Sequence, residues 1–436
     1  MHSAHSPTRL ARLGRIAAAL TIAAAGVVTV TQVAAAGPVT DFYTPPAQFA
    51  TEPGSIIRTE PMSVFALGPG GNGQWPVAAQ RVLFTSQLQD GSPTAVSGSY
   101  IPGTHEWNGA GARPTIVIAP GTAGQGDQCA ASVAMSTAFI VDPQQLSMSP
   151  NQEAVAVAAW NELGANVFVT DYVGQGTPGM HTYVNRLESA HAVLDAARAA
   201  TRLGDGPNSP LALWGYSQGG GATAAAAELQ PEYAPELNLK GVWAGAPVAD
   251  LNAVLAQVDG TLISGVIGFA LNGFLARYPE LQGALDSATT PAGRATLETL
   301  SHECIGDLIV RQPFIRTSSL TVDGRPMLDH LREIPEAMRI VNAQHIGTET
   351  PRVPVLITSG INDDTVPYTQ ARQLATDWCR GGARVTFRTN TLPPILPGAV
   401  IPNHFGPEII DGFGNNAIPY LLDRLADKPV PACTFD

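Results

Sequence analysis

The chain has 436 residues, 44% of them hydrophobic and 14% charged, with a formal net charge of −12. That length and apolar fraction allow a large buried core with room for a main domain plus an insertion, and they exclude a disordered chain. The acidic balance excludes nucleic acid and anionic membrane as standing partners and favours a neutral substrate.

Residues 1–36 read as a signal peptide rather than as fold. Arg9, Arg12 and Arg15 precede an Ala/Ile/Val-rich run that ends at Ala34-Ala35-Ala36 before Gly37-Pro38. This is a charged n-region, an apolar h-region and a small-residue cleavage site. A membrane anchor is the alternative, because the run approaches spanning length. Its weakly apolar, Ala-rich character and its A-x-A end favour cleavage and a secreted, extracellular protein. Removing it subtracts three arginines and no acid, which takes the formal charge from −12 to −15. Four cysteines remain, Cys129, Cys304, Cys379 and Cys433. An even number in an exported chain suggests two disulfides, with three pairings open.

A Pro/Gly-rich stretch over 37–75 comes next, followed by β-like runs at Gln80–Ser86 and Thr94–Ile101. Pro114–Ala119 reads as a buried strand that exits into the loop Pro120-Gly121-Thr122-Ala123-Gly124. Helix over 151–163, strand over Asn166–Tyr172, helix over 184–203, strand over Leu211–Tyr216, Ala-rich helix over 218–229 and strand over Lys240–Ala244 follow in turn. Such alternation implies a mostly parallel sheet covered on both faces. The first part of this core runs over 37–248. From 249 to 350 the pattern is helical throughout and includes the apolar stretch Leu262–Leu275. The sheet resumes over 351–436, with strands at Val353–Ser359 and Ala383–Thr389, a helix at Tyr368–Cys379 and a final helix after His404. The expected architecture is one α/β domain interrupted by a helical cap of about 100 residues. The stretch 262–275 fits either a plain buried helix or a lid whose apolar face covers an acyl-binding site; it is too short to span a bilayer.

The chemistry centres on Gly215-Tyr216-Ser217-Gln218-Gly219, which lies between an apolar strand and a helix. A Gly-x-Ser-x-Gly turn there leaves the serine on a strained apex with a helix N-terminus behind it, as in α/β-hydrolases. A serine hydroxyl is a poor nucleophile at neutral pH. It needs a histidine to take its proton and a carboxylate to orient that histidine. In such folds the order along the chain is Ser, then acid, then His. The strand ending at Ser359-Gly360 leads into Ile361-Asn362-Asp363-Asp364-Thr365-Val366-Pro367. Asp363 is the expected acid because it heads a D-x-x-V-P turn, and Asp364 is the alternative. Of the nine histidines only His404 lies beyond that turn, which makes it the expected base. The oxyanion needs preorganised donors, and the backbone N–H groups of Gln218 and Thr122 stand where they are required. Gly68-Pro69-Gly70, with Gly73, has the spacing of a dinucleotide fingerprint, but no strand–helix unit surrounds it and it reads as a loop. His302-Glu303-Cys304 is not a metal motif, and neither a P-loop nor H-E-x-x-H occurs. No cofactor and no metal are expected.

Taken together, the chain resembles the secretory lipases typified by Candida antarctica lipase A, in an actinobacterial variety. The likeness runs through the Gly121-Thr122 loop with Asp127-Gln128-Cys129-Ala130, then Asp171-Tyr172-Val173-Gly174 and the Ser217 elbow. It continues through Tyr233-Ala234-Pro235-Glu236-Leu237-Asn238 and the Asn362–Pro367 turn to His404. The resemblance implies an α/β-hydrolase fold with a mostly parallel central sheet, an inserted helical lid and hydrolysis of carboxylic esters, including acylglycerols. It places Ser217, Asp363 and His404 in the catalytic triad and Thr122 and Gln218 in the oxyanion hole. The yeast enzyme resembles an acidic residue at the Thr122 position, a difference of little weight if the donor is backbone N–H. The resemblance also implies disulfides Cys129–Cys304, tying lid to core, and Cys379–Cys433, pinning the C-terminus. The partners expected are a lipid or small-molecule ester and, transiently, a lipid interface, with the protein acting as a monomer.

Overall fold

A computed structural model of the chain describes residues 39–64, 78–135, 139–142, 147–204 and 206–436. The signal-peptide reading of 1–36 and the glycine pattern at 68–73 lie outside the described residues.

Ten strands form one sheet. Strands β1 (Ile56–Pro61), β2 (Gln80–Gln87) and β3 (Pro93–Ile101) build an antiparallel edge. Beyond β4 (Thr115–Ala119), a separate hairpin pairs β5 (Phe139–Asp142) with β6 (Ser147–Pro150). The main sheet then takes β7 (Asn166–Thr170), β8 (Leu211–Tyr216), β9 (Leu239–Gly245), β10 (Val355–Gly360), β11 (Val385–Asn390) and β12 (Cys433–Phe435). The spatial order is β1-β2-β3-β7-β4-β8-β9-β10-β11-β12, and every pair from β7 to β12 is parallel. Strands β4, β7, β8 and β10 are buried along their whole length, as Thr-Ile-Val-Ile-Ala in β4 shows. Near-continuous β-branched and apolar residues are what a strand covered on both faces requires.

Helices supply that cover. After the single turn α1 (Ala131–Ala134) come α2 (Ala154–Glu162), α3 (Arg186–Leu203) and α4 (Gln218–Tyr233). The Asn185 side chain accepts the Glu188 N–H and caps α3, satisfying one of the donors that a helix start leaves orphaned. Alanines on α3 and α4 pack with Val117, Phe168, Leu213 and Val242 on one sheet face. The opposite face packs Ile116, Ile118, Trp214 and Trp243 against Trp160 of α2 and Leu421 of a C-terminal helix.

Between β9 and β10 the chain forms seven helices: α5 (Leu251–Val258), α6 (Val266–Leu275), α7 (Gln282–Ala288), α8 (Pro291–Leu300), α9 (Ile305–Arg311), α10 (Met327–Arg332) and α11 (Pro335–Ala343). They share their own apolar cluster, which includes Leu255, Ile267, Phe269, Leu308 and Ile340. Tyr183 of the core and Val400 belong to the same cluster, so the inserted helices rest on the loops at the end of the parallel strands. The chain closes with α12 (Tyr368–Arg380), α13 (Gly406–Phe413), α14 (Ala417–Leu425) and β12.

The β5–β6 hairpin and α1 fall where no element is expected, and three further features differ from the sequence expectation. Strand β1 lies inside the stretch read as irregular; Ile-Ile-Arg-Thr-Glu-Pro has no period-two pattern, and only pairing with β2 at the sheet edge makes it a strand. The helix expected to end at 229 continues to Tyr233 through Pro231, whose missing N–H falls in the final turns. After His404 there are two helices and a strand instead of one helix, with the break at Gly414–Asn416.

Both disulfides are formed. Cys129 bonds Cys304, 175 positions away, and Cys379 bonds Cys433, 54 positions away. The first joins the loop after β4 to the start of α9, and the second joins α12 to the edge strand β12.

Candidate active site

The elbow between β8 and α4 is a feature of local backbone. Ser217 has φ 58° and ψ −118°, a region costly for a residue with a Cβ. Its N–H donates to Gly245 O at 2.9 Å and its carbonyl accepts the Gly221 N–H at 2.9 Å, so the strained residue is fixed from both sides. The flanking glycines are a packing requirement. A Cβ on Gly219 would lie 2.0 Å from Ala119 O, and one on Gly215 would lie 2.1 Å from Gly219 O. Without side chains at these positions, the helix starts directly against the sheet.

His404 arrives from the far side of the site on a tight turn, Ile401–Phe405, that follows Val400 at φ 63°. Its carbonyl accepts the Tyr216 hydroxyl at 2.8 Å, which ties this loop to the residue before the serine. Nδ1–H faces both carboxylate oxygens of Asp363, at 3.0 and 2.9 Å, and Nε2 lies 2.8 Å from Ser217 Oγ. The carboxylate therefore selects the tautomer whose Nε2 lone pair accepts the serine proton. Asp363 Oδ1 also accepts the N–H groups of Thr365 and Val366, both at 2.9 Å, which prevents the carboxylate from rotating away. All three side chains are buried: Ser217 is 8% exposed, Asp363 7% and His404 1%.

Asp364, the alternative acid, points elsewhere. Its Oδ2 accepts the N–H groups of Gly398 at 2.7 Å and Val400 at 3.1 Å. It fastens the backbone of the histidine loop and makes no contact with the ring.

The loop after β4 closes the site on a third side. The Gly121 N–H is taken by Glu153 Oε1 at 2.9 Å. No hydrogen bond from the Thr122 N–H or the Gln218 N–H is found among the described residues. Both amides are thus without an internal acceptor, as a donor to a developing oxyanion has to be. The Thr122 hydroxyl pairs with the Tyr183 hydroxyl at 2.8 Å. Tyr183 in turn packs edge-on against Phe269 of α6, with ring centroids 5.9 Å apart. Of the apolar stretch 262–275, residues Val266–Leu275 form the helix α6, largely buried, and its Phe269 reaches the loop after β4 through Tyr183.

One residue near the serine carried no signal in the sequence. His181 is buried, stacked on Tyr172, and donates from Nδ1 to Val173 O at 3.0 Å. Its Nε2 accepts the Gln218 side-chain amide at 3.1 Å. Burial lowers its pKa to about 4, so it is neutral across the ordinary range. Among the described residues no group of three or more His, Cys, Asp or Glu side chains is arranged to hold a metal ion.

A parallel sheet with helices on both faces, a serine at a strand–helix elbow and a cap inserted between strands define an α/β-hydrolase fold. The Secretory lipase family matches residues 143–432, and the chain belongs to that family. It is 28% identical over 369 residues to a Mycobacterium tuberculosis protein named probable inactive lipase MT1628, a match covering 79% of this chain and 75% of that one. It is 31% identical over 245 residues to the secreted triacylglycerol lipase LIP5 of Malassezia globosa, covering 52% of this chain and 48% of that one. The closed-state crystal structure of Candida antarctica lipase A superposes with a TM-score of 0.67 at 21% identity, over 87% of each chain.

Proposed function

We propose that the protein is a secreted serine hydrolase of carboxylic esters with a substantial acyl chain, acylglycerols among them. Ser217 attacks the ester carbonyl as His404 Nε2 removes its proton, and Asp363 stabilises the imidazolium. The oxyanion is held by the Gln218 and Thr122 N–H groups. His404 then protonates the departing alcohol, and water releases the acid from the acyl-enzyme by the same sequence in reverse. One observation carries this reading: a single imidazole bridges a strained serine at 2.8 Å and a buried carboxylate at 2.9 Å. No cofactor enters these steps.

The partner is a neutral lipid interface, met by the protein as a monomer. Ile361, Ile395, Leu396, Ile401, Ile409 and Ile410 are all exposed. They lie on the turn that carries Asp363, on the segment 391–405 that leads from β11 to His404, and on α13. The Asp363 turn is joined to the end of β11 and the start of that segment by Ile361 N–H to Asn390 O at 2.9 Å and Asn362 Nδ2 to Leu392 O at 2.9 Å. Residues 389–423 contain no Lys or Arg, and burial pushes the carboxyls of Glu408 and Asp411 towards the neutral form. An apolar patch without basic residues suits an uncharged or zwitterionic surface and gives no hold on an anionic one. Export is supported by the leader-like sequence and the two disulfides, and no helix among the described residues is long and apolar enough to cross a membrane.

The test is Ser217→Ala assayed on p-nitrophenyl esters from acetyl to long chain and on emulsified glycerides. Turnover should fall by about 10⁴–10⁶-fold. Equal rates for wild type and variant, or failure of the wild type to label with a serine-directed phosphonate, would overturn the proposal.

A further inference from the structure

The oxyanion loop is the run of backbone over 120–130 between β4 and α1, with glycines at 121, 124 and 126 and one helical turn at Asp127–Cys129. A catalytic donor has to stay in place to within a fraction of an ångström, and such a loop has no hydrogen-bond ladder of its own to achieve that. From Ala123 onward it pairs with the backbone of 303–305, through Ile305 N–H to Ala123 O at 2.8 Å and Gln125 N–H to Glu303 O at 2.9 Å, whereas the fastenings at Pro120–Thr122 come from side chains elsewhere. The Tyr172 hydroxyl donates to Pro120 O at 2.8 Å. Glu153 Oε1 accepts the Gly121 N–H at 2.9 Å, and Gln152 Nε2 donates to Thr122 O at 2.8 Å. These last two contacts sit on either side of the peptide link between Gly121 and Thr122. Gln152 and Glu153 are consecutive and immediately precede α2, so one helix end holds both.

We infer that Gln152 and Glu153 are positioning residues that fix the Gly121–Thr122 peptide so that the Thr122 N–H, and not the Gly121 N–H, faces the oxyanion. This rests on the ester-hydrolase reading above but concerns residues that the triad does not touch. By occupying the Gly121 N–H, Glu153 removes the competing donor. By pulling on the Thr122 carbonyl, Gln152 sets the plane of the next peptide. Glu153 is buried, 5% exposed, and among the described residues Tyr172 and Glu408 of α13, neither of them a cation, are the titratable groups that feel its charge. Burial pushes its carboxyl up to about 7. A neutral acid keeps the carbonyl-type oxygen that accepts the Gly121 N–H, so glutamine at the same position is the close mimic and leucine removes the acceptor.

The experiment compares wild type, Glu153→Gln, Glu153→Leu, Gln152→Leu and Ser217→Ala. Each is measured for kcat and KM on a soluble p-nitrophenyl ester and for inhibition by an alkyl trifluoromethyl ketone. That ketone forms a hemiketal oxyanion on the serine, so its affinity reports the hole directly. Glu153→Leu should lower kcat by about 10- to 100-fold with KM within threefold, and should weaken the ketone in parallel. Glu153→Gln should restore both to within about threefold of wild type. Gln152, which is only half-buried, gives a second reading if Glu153→Leu does not fold: Gln152→Leu should weaken kcat and ketone together by several fold. Loss of kcat in Glu153→Leu with ketone affinity unchanged, or Glu153→Gln as damaged as Glu153→Leu, would overturn the inference. Full activity in Glu153→Leu and Gln152→Leu beside an inactive Ser217→Ala would overturn it and leave the ester-hydrolase reading intact. Activity surviving in Ser217→Ala would overturn both.

Discussion

Asp363 and Asp364 are neighbours in the chain and hold the same loop by different parts. Asp363 faces the His404 ring at 2.9 Å, and Asp364 accepts the Val400 N–H at 3.1 Å four residues upstream of that ring. One carboxylate sets the tautomer; the other sets where the backbone carries the imidazole. Replacing them should therefore give different deficits. Asp363→Asn should lower kcat by about 10⁴-fold with little change in melting temperature, because its geometry survives while the tautomer is lost. Asp364→Ala leaves the buried Val400 N–H and the partly buried Gly398 N–H unpaired, at about 1–3 kcal/mol for the first and less for the second, and should lower Tm while kcat falls by about 10²-fold or less. Thermal melts and steady-state kinetics on the two variants decide it. Equal loss of kcat in both would show that the division is wrong.

His181 makes stability depend on pH in a definite direction. Its folded pKa, about 4, lies below the value of 6.5 in an unfolded chain. The stability it contributes is fully present above pH 6.5 and is lost progressively as pH falls towards 4, where the unfolded chain binds a proton that the native state does not. Burial raises Asp171 and Asp195 to about 6 and Glu153 to about 7, and their contributions run the opposite way, declining as pH rises. The total curve is a sum, so the comparison of interest is wild type against His181→Gln. Between pH 6.5 and 4 the wild type should lose on the order of a few kcal/mol more than the variant in denaturant titrations. Parallel curves would exclude this role for His181.

The two disulfides should be separable by activity. On the chain-entropy account, closing loops of 175 and 54 residues stabilises by roughly 5 and roughly 4 kcal/mol respectively. Both serine-replaced variants should melt lower. Only the loss of Cys129–Cys304 should also lower kcat, since Gly124, two residues past Thr122, bridges Cys304 in the backbone. Loss of Cys379–Cys433 acts at the sheet edge and should leave kcat within about twofold at a temperature where the variant is folded. A kcat deficit from the second pair alone would reverse this assignment.

Lipid contact can be read as a ratio. Changing Ile395, Leu396 and Ile409 to Asp together places three charges on the exposed patch and should reduce the rate on emulsified glyceride, relative to a soluble short-chain ester, by tenfold or more. Co-sedimentation of the Ser217→Ala form with phosphatidylcholine-coated triglyceride droplets gives the same answer without turnover. An unchanged ratio would show that the substrate is met through another surface.

The serine elbow was legible because its requirements are local: an apolar strand, two glycines and a helix within ten residues. His404 was legible by order along the chain, being the one histidine beyond the acid turn. The choice between Asp363 and Asp364 rested on a turn pattern, and the structure supplies the reason that both are present. The disulfide pairing followed from resemblance and from nothing in the spacing. By contrast His181, Gln152 and Glu153 stand in ordinary surroundings in the sequence. Their significance lies in which peptide group or side chain each one meets across the fold, and no period or spacing encodes that. Strand β1 was missed for the same reason, since its pairing partner and not its own pattern makes it a strand.

The serine elbow and the loop opposite it have unequal debts to the rest of the chain. The elbow is built from β8 and α4 and is fixed by backbone of the adjoining strands, Gly245 O of β9 and Ala119 of β4. The loop is held by Tyr172, 52 positions from its contact, and by Tyr183, 61 positions away; just beyond it, Gln125 bonds Phe269 at a separation of 144. Contacts of such separation each have to offset the entropy of closing a long loop. The pocket for the intermediate is thus fastened by side chains from several distant parts of the chain, and a substitution far from the serine in sequence can loosen it while the turn that presents the nucleophile stays in place.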